Sequence, residues 1–150
     1  MPLFTGRFEY SVDDKGRLSV PSRHRDQLER EQQEAVLFIT QVKAECLHAY
    51  ATHEFQQFIE TFSQSSDEAS REALRQITAN TIECPLDKQG RVMLPKDLLA
   101  KAGIKRDVVL LGVAKHIQVW DRQRYDAWSL EQAARLAARP GSLRAPADLV

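Results

Sequence analysis

The chain writes one ten-residue pattern twice. Val12 to Pro21 reads VDDKGRLSVP, and 74 positions later Leu86 to Pro95 reads LDKQGRVMLP. Both have the form apolar-Asp-x-x-Gly-Arg-apolar-x-apolar-Pro. An internal repeat constrains the fold more than any composition does, and two copies are too few for a solenoid. The reading it leaves is a fused pseudo-dimer, in which two half-domains complete one another's core. The correspondence continues past the motif. At the same offset Val36 and Leu37 fall on Leu110 and Leu111, while further on Tyr50 falls on Trp120 and Phe55 on Tyr125. The offset there has dropped to 70, which places a four-residue loss in the second copy's loop between its later strands. The repeats span 7–55 and 81–125, with a helical connector at 56–80 and a final helix and loose tail at 126–150.

Each unit reads the same way. Phe8, Tyr10 and Val12 alternate with polar residues, the signature of a half-buried strand, and Ile82, Cys84 and Leu86 repeat it. Asp13 and Asp87 open a turn by bonding the backbone two residues on. Gly16 and Gly90 then supply the positive φ of a type I turn with a bulge. This predicts a hairpin, with return strands at Arg17–Val20 and at Arg91–Leu94. Pro21 and Pro95 end the strand and suit the first position of a helix. Short helices follow, the second capped by Gly103. Strands are expected near 35–41, 46–50, 107–113 and 116–120.

Thr52 and Asp121 are candidate N-caps for longer helices. Phe55, Phe58, Ile59 and Phe62 form an apolar helical stripe. Ser65 and Glu68 suggest a capping box for the next helix, whose buried side is Ala69, Ala73, Leu74 and Ile77. The final helix is expected to run from Asp121 to about Ala138, stopping at Arg139-Pro140-Gly141.

Charge separates function classes only once it is located. The chain has 21 Lys/Arg and 21 Asp/Glu. Residues 1–30 are net +1, residues 31–72 net −6 and residues 73–150 net +5. A neutral total therefore conceals an acidic middle and a basic second half. No stretch has the length and apolarity of a membrane span, and the opening MPLFTGRFEY lacks the form of a signal peptide, so a cytosolic protein without membrane partners is expected. Cys46 and Cys84 are expected as reduced, buried thiols. Cys46 and His48 on one strand face are too few ligands for a metal, and no metal or cofactor is expected.

No phosphate-binding, dinucleotide, nucleophile-elbow or zinc-protease motif occurs, which argues against an enzyme. The turn explains Asp and Gly, and the core explains the apolar positions. Neither explains Arg17 and Arg91. An ion pair to Asp13 or Asp87 would tie the turn, but an exposed pair contributes little. Lys15, Arg23 and Arg25 are expected around the first turn with Arg17. Lys88 and Lys96 are expected around the second with Arg91. If the two hairpins lie side by side, these cations make one patch suited to phosphates and to the O6 and N7 edge of guanine.

The paired motifs resemble the bacterial MraZ family. So do their flanks, FTGRFEYSVDDKGRLSVPSRHRDQL, CPLDKQGRVMLPKDLLAKAGIKRDVVLLGV and IQVWD. The resemblance covers about residues 1–128. It implies an α+β fold: a swapped-hairpin, double-psi-like or AbrB-type β-barrel built from two tandem repeats and flanked by helices. It implies a sequence-specific DNA-binding transcriptional regulator, most simply a repressor, acting at direct repeats in the promoter of the division and cell-wall gene cluster, its own gene included. It implies a homo-octamer or dodecamer ring and a nucleoid-associated cytoplasmic location. The family's D-x-x-x-R motif falls on Asp13 and Arg17 and on Asp87 and Arg91, and carries the DNA-binding role to the two arginines. The second copy departs from the first: Gln89 stands where Lys15 precedes glycine, with Lys88 one residue earlier. An oligomeric scaffold or antitoxin-like partner protein on the same barrel is the rival reading.

Overall fold

A computed structural model gives the fold and describes residues 2–31 and 34–138. The Arg139-Pro140-Gly141 stop and the tail beyond it lie outside the described residues. In chain order the elements are β1 (Arg7–Ser11), β2 (Arg17–Ser19), α1 (Ser22–Glu31), β3 (Val36–Thr40) and β4 (Leu47–Tyr50). Two helices follow, α2 (Thr52–Ser63) and α3 (Glu68–Ala79). The second half gives β5 (Ile82–Pro85), β6 (Arg91–Met93), α4 (Lys96–Lys101), β7 (Asp107–Val113), β8 (His116–Asp121) and α5 (Arg122–Ala138).

The fold is α+β, and its strands pair across the repeats. Six strands form one antiparallel sheet in the order β1-β7-β8-β4-β3-β5, and β2 pairs with β6 as a separate two-stranded ribbon. The first strand of each repeat thus lies on the edge of the other repeat's strand pair, β1 on β7 and β5 on β3. The predicted hairpins are corrected by this. The Asp-x-x-Gly turns are closed at their base, where the Asp13 and Asp87 amides donate to the Arg17 and Arg91 carbonyls. Beyond that bond the two arms part. One enters the large sheet and the other meets its counterpart in the ribbon. The arms are too short to hold each other as a free hairpin, whereas pairing across the repeats buries Leu18 and Val92. Among the described residues the ladders end at β1 and β5, and no ladder closes the sheet into a barrel.

The pairing also revises the alignment of the copies. Phe8 faces Leu110, and its counterpart Ile82 faces Ile39. Ile39 therefore matches Leu110, an offset of 71 rather than 74. Most of the length difference lies before β3, since α1 has ten residues and α4 only six. The later match of Tyr50 to Trp120 stands, because Leu47 faces Val119 and Ala49 faces Ile117 across the centre of the sheet.

The core lies between one sheet face and the ribbon. Leu37, Ile39, Leu47, Val108, Leu110 and Val119 meet Leu18, Val20, Val92 and Leu94 from the ribbon strands and the residues that follow them, all nearly inaccessible to solvent. Truncating any of these leucines to alanine removes about 2–5 kcal/mol. The other sheet face is aromatic. Phe55 of α2 stacks on Phe38 at 5.0 Å and Phe58 on Tyr50 at 5.0 Å. At the matching positions Tyr125 and Trp128 of α5 pack on Trp120.

Helix ends follow local chemistry with three corrections. Pro21 and Pro95 precede α1 and α4 instead of opening them. The residue before α2 is Ala51, with no side-chain cap, and Thr52 is its first helical residue. The cap of α3 is Asp67, which accepts the Ser70 amide at 2.6 Å and the Ser65 hydroxyl at 2.9 Å. An acidic cap holds the helix N-terminus better than the predicted Ser65–Glu68 box. On α3, Ile77 is buried, Ala73 and Leu74 are half-buried, and Ala69 is exposed. Asp121 does cap α5, accepting the Arg124 amide. Gly103 follows α4 at φ +69°, its amide bonded to Ala100 and that of Ile104 to Leu99, a Schellman closure.

A candidate nucleic-acid interface

The site grows out of the two turns. Each aspartate makes three bonds with one carboxylate. Asp13 Oδ1 accepts the amides of Lys15 and Arg17, both at 2.9 Å, and Oδ2 accepts Arg17 Nε at 2.6 Å. Asp87 repeats this with the amides of Gln89 and Arg91 at 2.9 Å and Arg91 Nε at 3.0 Å. The backbone amide of Arg17, more than any other partner, favours the charged Asp13 carboxylate and holds it down to about 2, far below the usual carboxylate range. The Arg91 amide shifts Asp87 in the same direction. Gly16 and Gly90 take φ of +83° and +75°, as the turn demands.

The ion pair that sequence reasoning weighed as a mere tie is therefore present in both turns. Its geometry gives it a second use. The carboxylate engages Nε, on the inner edge of the guanidinium, and so fixes the direction of the arginine without using its two outer nitrogens. In the second turn Arg91 Nη2 also donates to Gln89 Oε1 at 3.2 Å.

The ribbon brings the arginines together. Arg17 faces Met93, Leu18 faces Val92 and Ser19 faces Arg91. Leu18 and Val92 point into the core, so the outward face carries Arg17, Ser19, Arg91 and Met93. The two arginines stand on a diagonal of this face, about 7–8 Å apart at the backbone. The condition that the turns lie side by side is not met; antiparallel pairing places them at opposite ends of the ribbon, with Lys15 exposed at one and Lys88 at the other.

The remaining cations are exchanged between the turns. A Cβ on Gly90 would lie 2.3 Å from Arg25 Cδ, so Arg25 of the first repeat lies over the second turn. Lys96 of the second repeat lines a shallow cleft of about 300 Å³ with Asp13, Asp14 and Gly16 of the first. Both were expected at the turn nearest in sequence. The exchange follows from the ribbon, which carries each helix to the far end. Arg23 is exposed on the first turn of α1. Lys105 and Arg106 line the same cleft as Lys96 and were missed. Their signal was the basic pair in the GIKRD run just before the strand expected at 107–113.

Among the described residues the other titratable groups give no competing centre. Cys46 and Cys84 are free and buried, and burial pushes their thiols up to about 12 and about 11. Among the described residues no three His, Cys, Asp or Glu come together as metal ligands. No described helix is long and apolar enough to cross a membrane.

The family model described as "MraZ protein, putative antitoxin-like" matches the chain twice in tandem, over residues 3–76 and 77–142. The chain belongs to the MraZ family. A protein of Pediococcus pentosaceus called transcriptional regulator MraZ is 35% identical over 126 residues, covering 83% of this chain and 85% of that protein. Its counterpart from Lachnoclostridium phytofermentans is 31% identical over 137 residues, covering 90% and 93%. That of Ralstonia pickettii is 35% identical over 142 residues, covering 95% and 97%. The matches thus cover most of this chain and most of each relative, and both tandem modules carry the Asp-x-x-Gly-Arg turn described above.

Proposed function

We propose that this MraZ-family chain is a DNA-binding transcriptional regulator that reads duplex DNA with the outward face of the β2–β6 ribbon. The observation that carries the reading is the pair of carboxylate-braced arginines, Arg17 and Arg91, on one exposed two-stranded surface. A β-ribbon fits the major groove, and a guanidinium held by its Nε can turn its two outer nitrogens to guanine O6 and N7 or to a phosphate, which for Arg91 means exchanging the bond to Gln89. Lys15, Lys88, Arg23, Arg25 and Lys96 supply positioning contacts to the backbone. The relatives' names support regulation of transcription. We further propose repression at direct repeats in the promoter of the division and cell-wall gene cluster, this chain's own gene included, by a nucleoid-associated octameric or dodecameric ring. A ring lets several weakly cationic ribbons act at once on successive repeats, which suits a chain of zero net charge.

The test is a titration of duplex carrying the promoter of its own operon with the full-length protein. Arg17→Ala and Arg91→Ala should each cost about 1–3 kcal/mol of specific binding per lost base contact. Affinity should also fall steeply with salt. Unchanged promoter affinity in the double variant would overturn this use of the ribbon and favour the scaffold or antitoxin-like reading.

A further inference from the structure

The ribbon's outward face is not symmetric, and the difference sits at one position. Arg17 and Arg91 occupy equivalent places in the two repeats, and so do Ser19 and Met93. The strands themselves are related by the pairing of Leu18 with Val92. A ribbon with the same residues on both strands would present the same chemistry to both halves of a DNA site, and would suit an inverted repeat. Here one strand offers arginine and serine, the other arginine and methionine.

Met93 is 60% exposed, whereas Leu18 and Val92 of the same ribbon are buried. A single exposed apolar side chain is ordinary on most surfaces. This one lies directly across the ladder from Arg17 and next but one to Arg91 on its own strand. Directly opposed side chains begin about 4.5–5.5 Å apart, a little more than one base step of about 3.4 Å. Arg17 and Met93 therefore reach the same base pair or adjacent ones. In the major groove only thymine offers an apolar group, its 5-methyl. A flexible, polarisable thioether is well suited to cover it. Serine at the matching position accepts any base edge and imposes no such demand.

Resting on the DNA-binding reading above, we infer that Met93 is a specificity residue, contacting the methyl of a thymine beside the guanine taken by Arg17. Ser19 imposes no thymine beside Arg91. The two halves of the element under one ribbon are consequently read differently.

The experiment uses the full chain and duplex DNA. Bound sequences are first selected from a randomised duplex pool, and each thymine of the winning element is then replaced by uracil, which removes only the methyl group. One thymine beside a guanine should lose about fourfold in affinity, the scale of one buried methyl group. In Met93→Ser that loss should vanish and selection should return a more symmetric element. Ser19→Met should acquire a second thymine requirement. Met93 is exposed, so Met93→Ser should melt with the parent protein. A flat uracil scan in the parent, or an unchanged one in Met93→Ser, overturns the inference and leaves DNA binding intact. Enrichment of no duplex at all overturns the DNA-binding reading, and the inference with it.

Discussion

The carbonyl of Gly16 accepts the backbone amide of Leu94 at 2.7 Å, so the turn of the first repeat is completed by the second. The reverse bond runs from the Val20 amide to the Gly90 carbonyl at 3.0 Å. These two bonds extend the three-residue ladder of β2 and β6 at both ends. They bind each arginine's turn to the opposite half of the molecule. The ribbon can present Arg17 and Arg91 in a fixed relation only because each half supplies the other's missing partner.

The two turn glycines should not tolerate substitution equally. A Cβ on Gly16 would lie 2.3 Å from the Leu94 carbonyl oxygen, a backbone atom of the residue whose amide is bonded to Gly16. A Cβ on Gly90 would meet the Arg25 side chain, which can swing away. Both positions carry the cost of alanine at positive φ, about 1–2 kcal/mol. Gly16→Ala should therefore cost about 3 kcal/mol or more, and Gly90→Ala about 1–2 kcal/mol. Urea unfolding of the two variants measures the difference, and equal losses would contradict the Gly16–Leu94 relationship.

Asp13→Asn separates two views of the carboxylate. Asparagine keeps an oxygen for the Lys15 and Arg17 amides but loses the acceptor for Arg17 Nε. If Asp13 acted only through its charge, removing an anion beside the ribbon would tighten DNA binding. If it acts by aiming Arg17, binding should weaken, by about threefold or more, at a temperature where the variant is still fully folded. Tighter binding by this variant would rule out the aiming role.

Acid should loosen both turns over one window. The folded Asp13 carboxyl is held down to about 2 and Asp87 is lowered likewise, chiefly by backbone amides. A carboxylate depressed in the fold contributes stability above its unfolded pKa, and that contribution is lost as pH falls toward the folded value. The loss should run from about pH 4 down to about 2. Acid titration of thermal stability should show it in the parent, and an Asp13→Asn, Asp87→Asn double variant should be flatter there.

Much of this was legible in the sequence because it is local. Asp13, Gly16, Asp87 and Gly90 announce their turns by short-range chemistry, and the positive φ of both glycines is as expected. The stripe of Phe55 and Phe58 likewise states its own period, and both rings pack on the sheet. What failed was non-local. Nothing in VDDKGRLSVP says that Leu18 will pair with Val92 rather than with the strand before it. Once that pairing is missed, Arg25 and Lys96 are assigned to the wrong turns. Cap positions failed on finer grounds, since Ser65 and Asp67 are both good caps two residues apart, and the charged one prevails.

His48 of β4 and His116 of β8 stack at 4.4 Å, and His48 Nδ1 lies 3.3 Å from the Tyr50 hydroxyl. Burial, and secondarily the neighbouring His116, lowers His48 from 6.5 to about 4, and burial also lowers His116. Both rings are thus neutral in the fold at neutral pH. In the unfolded chain they take up protons near pH 6.5, so acidification favours unfolding from about that pH downward. The stability they permit is fully present above 6.5 and is lost progressively toward pH 4, on the order of 2–3 kcal/mol for His48. Phenylalanine keeps the stack and removes the proton site. Urea midpoints between pH 7 and 4.5 should therefore fall less in His48→Phe than in the parent. Parallel profiles would show that the pair's protonation does not set stability in that range.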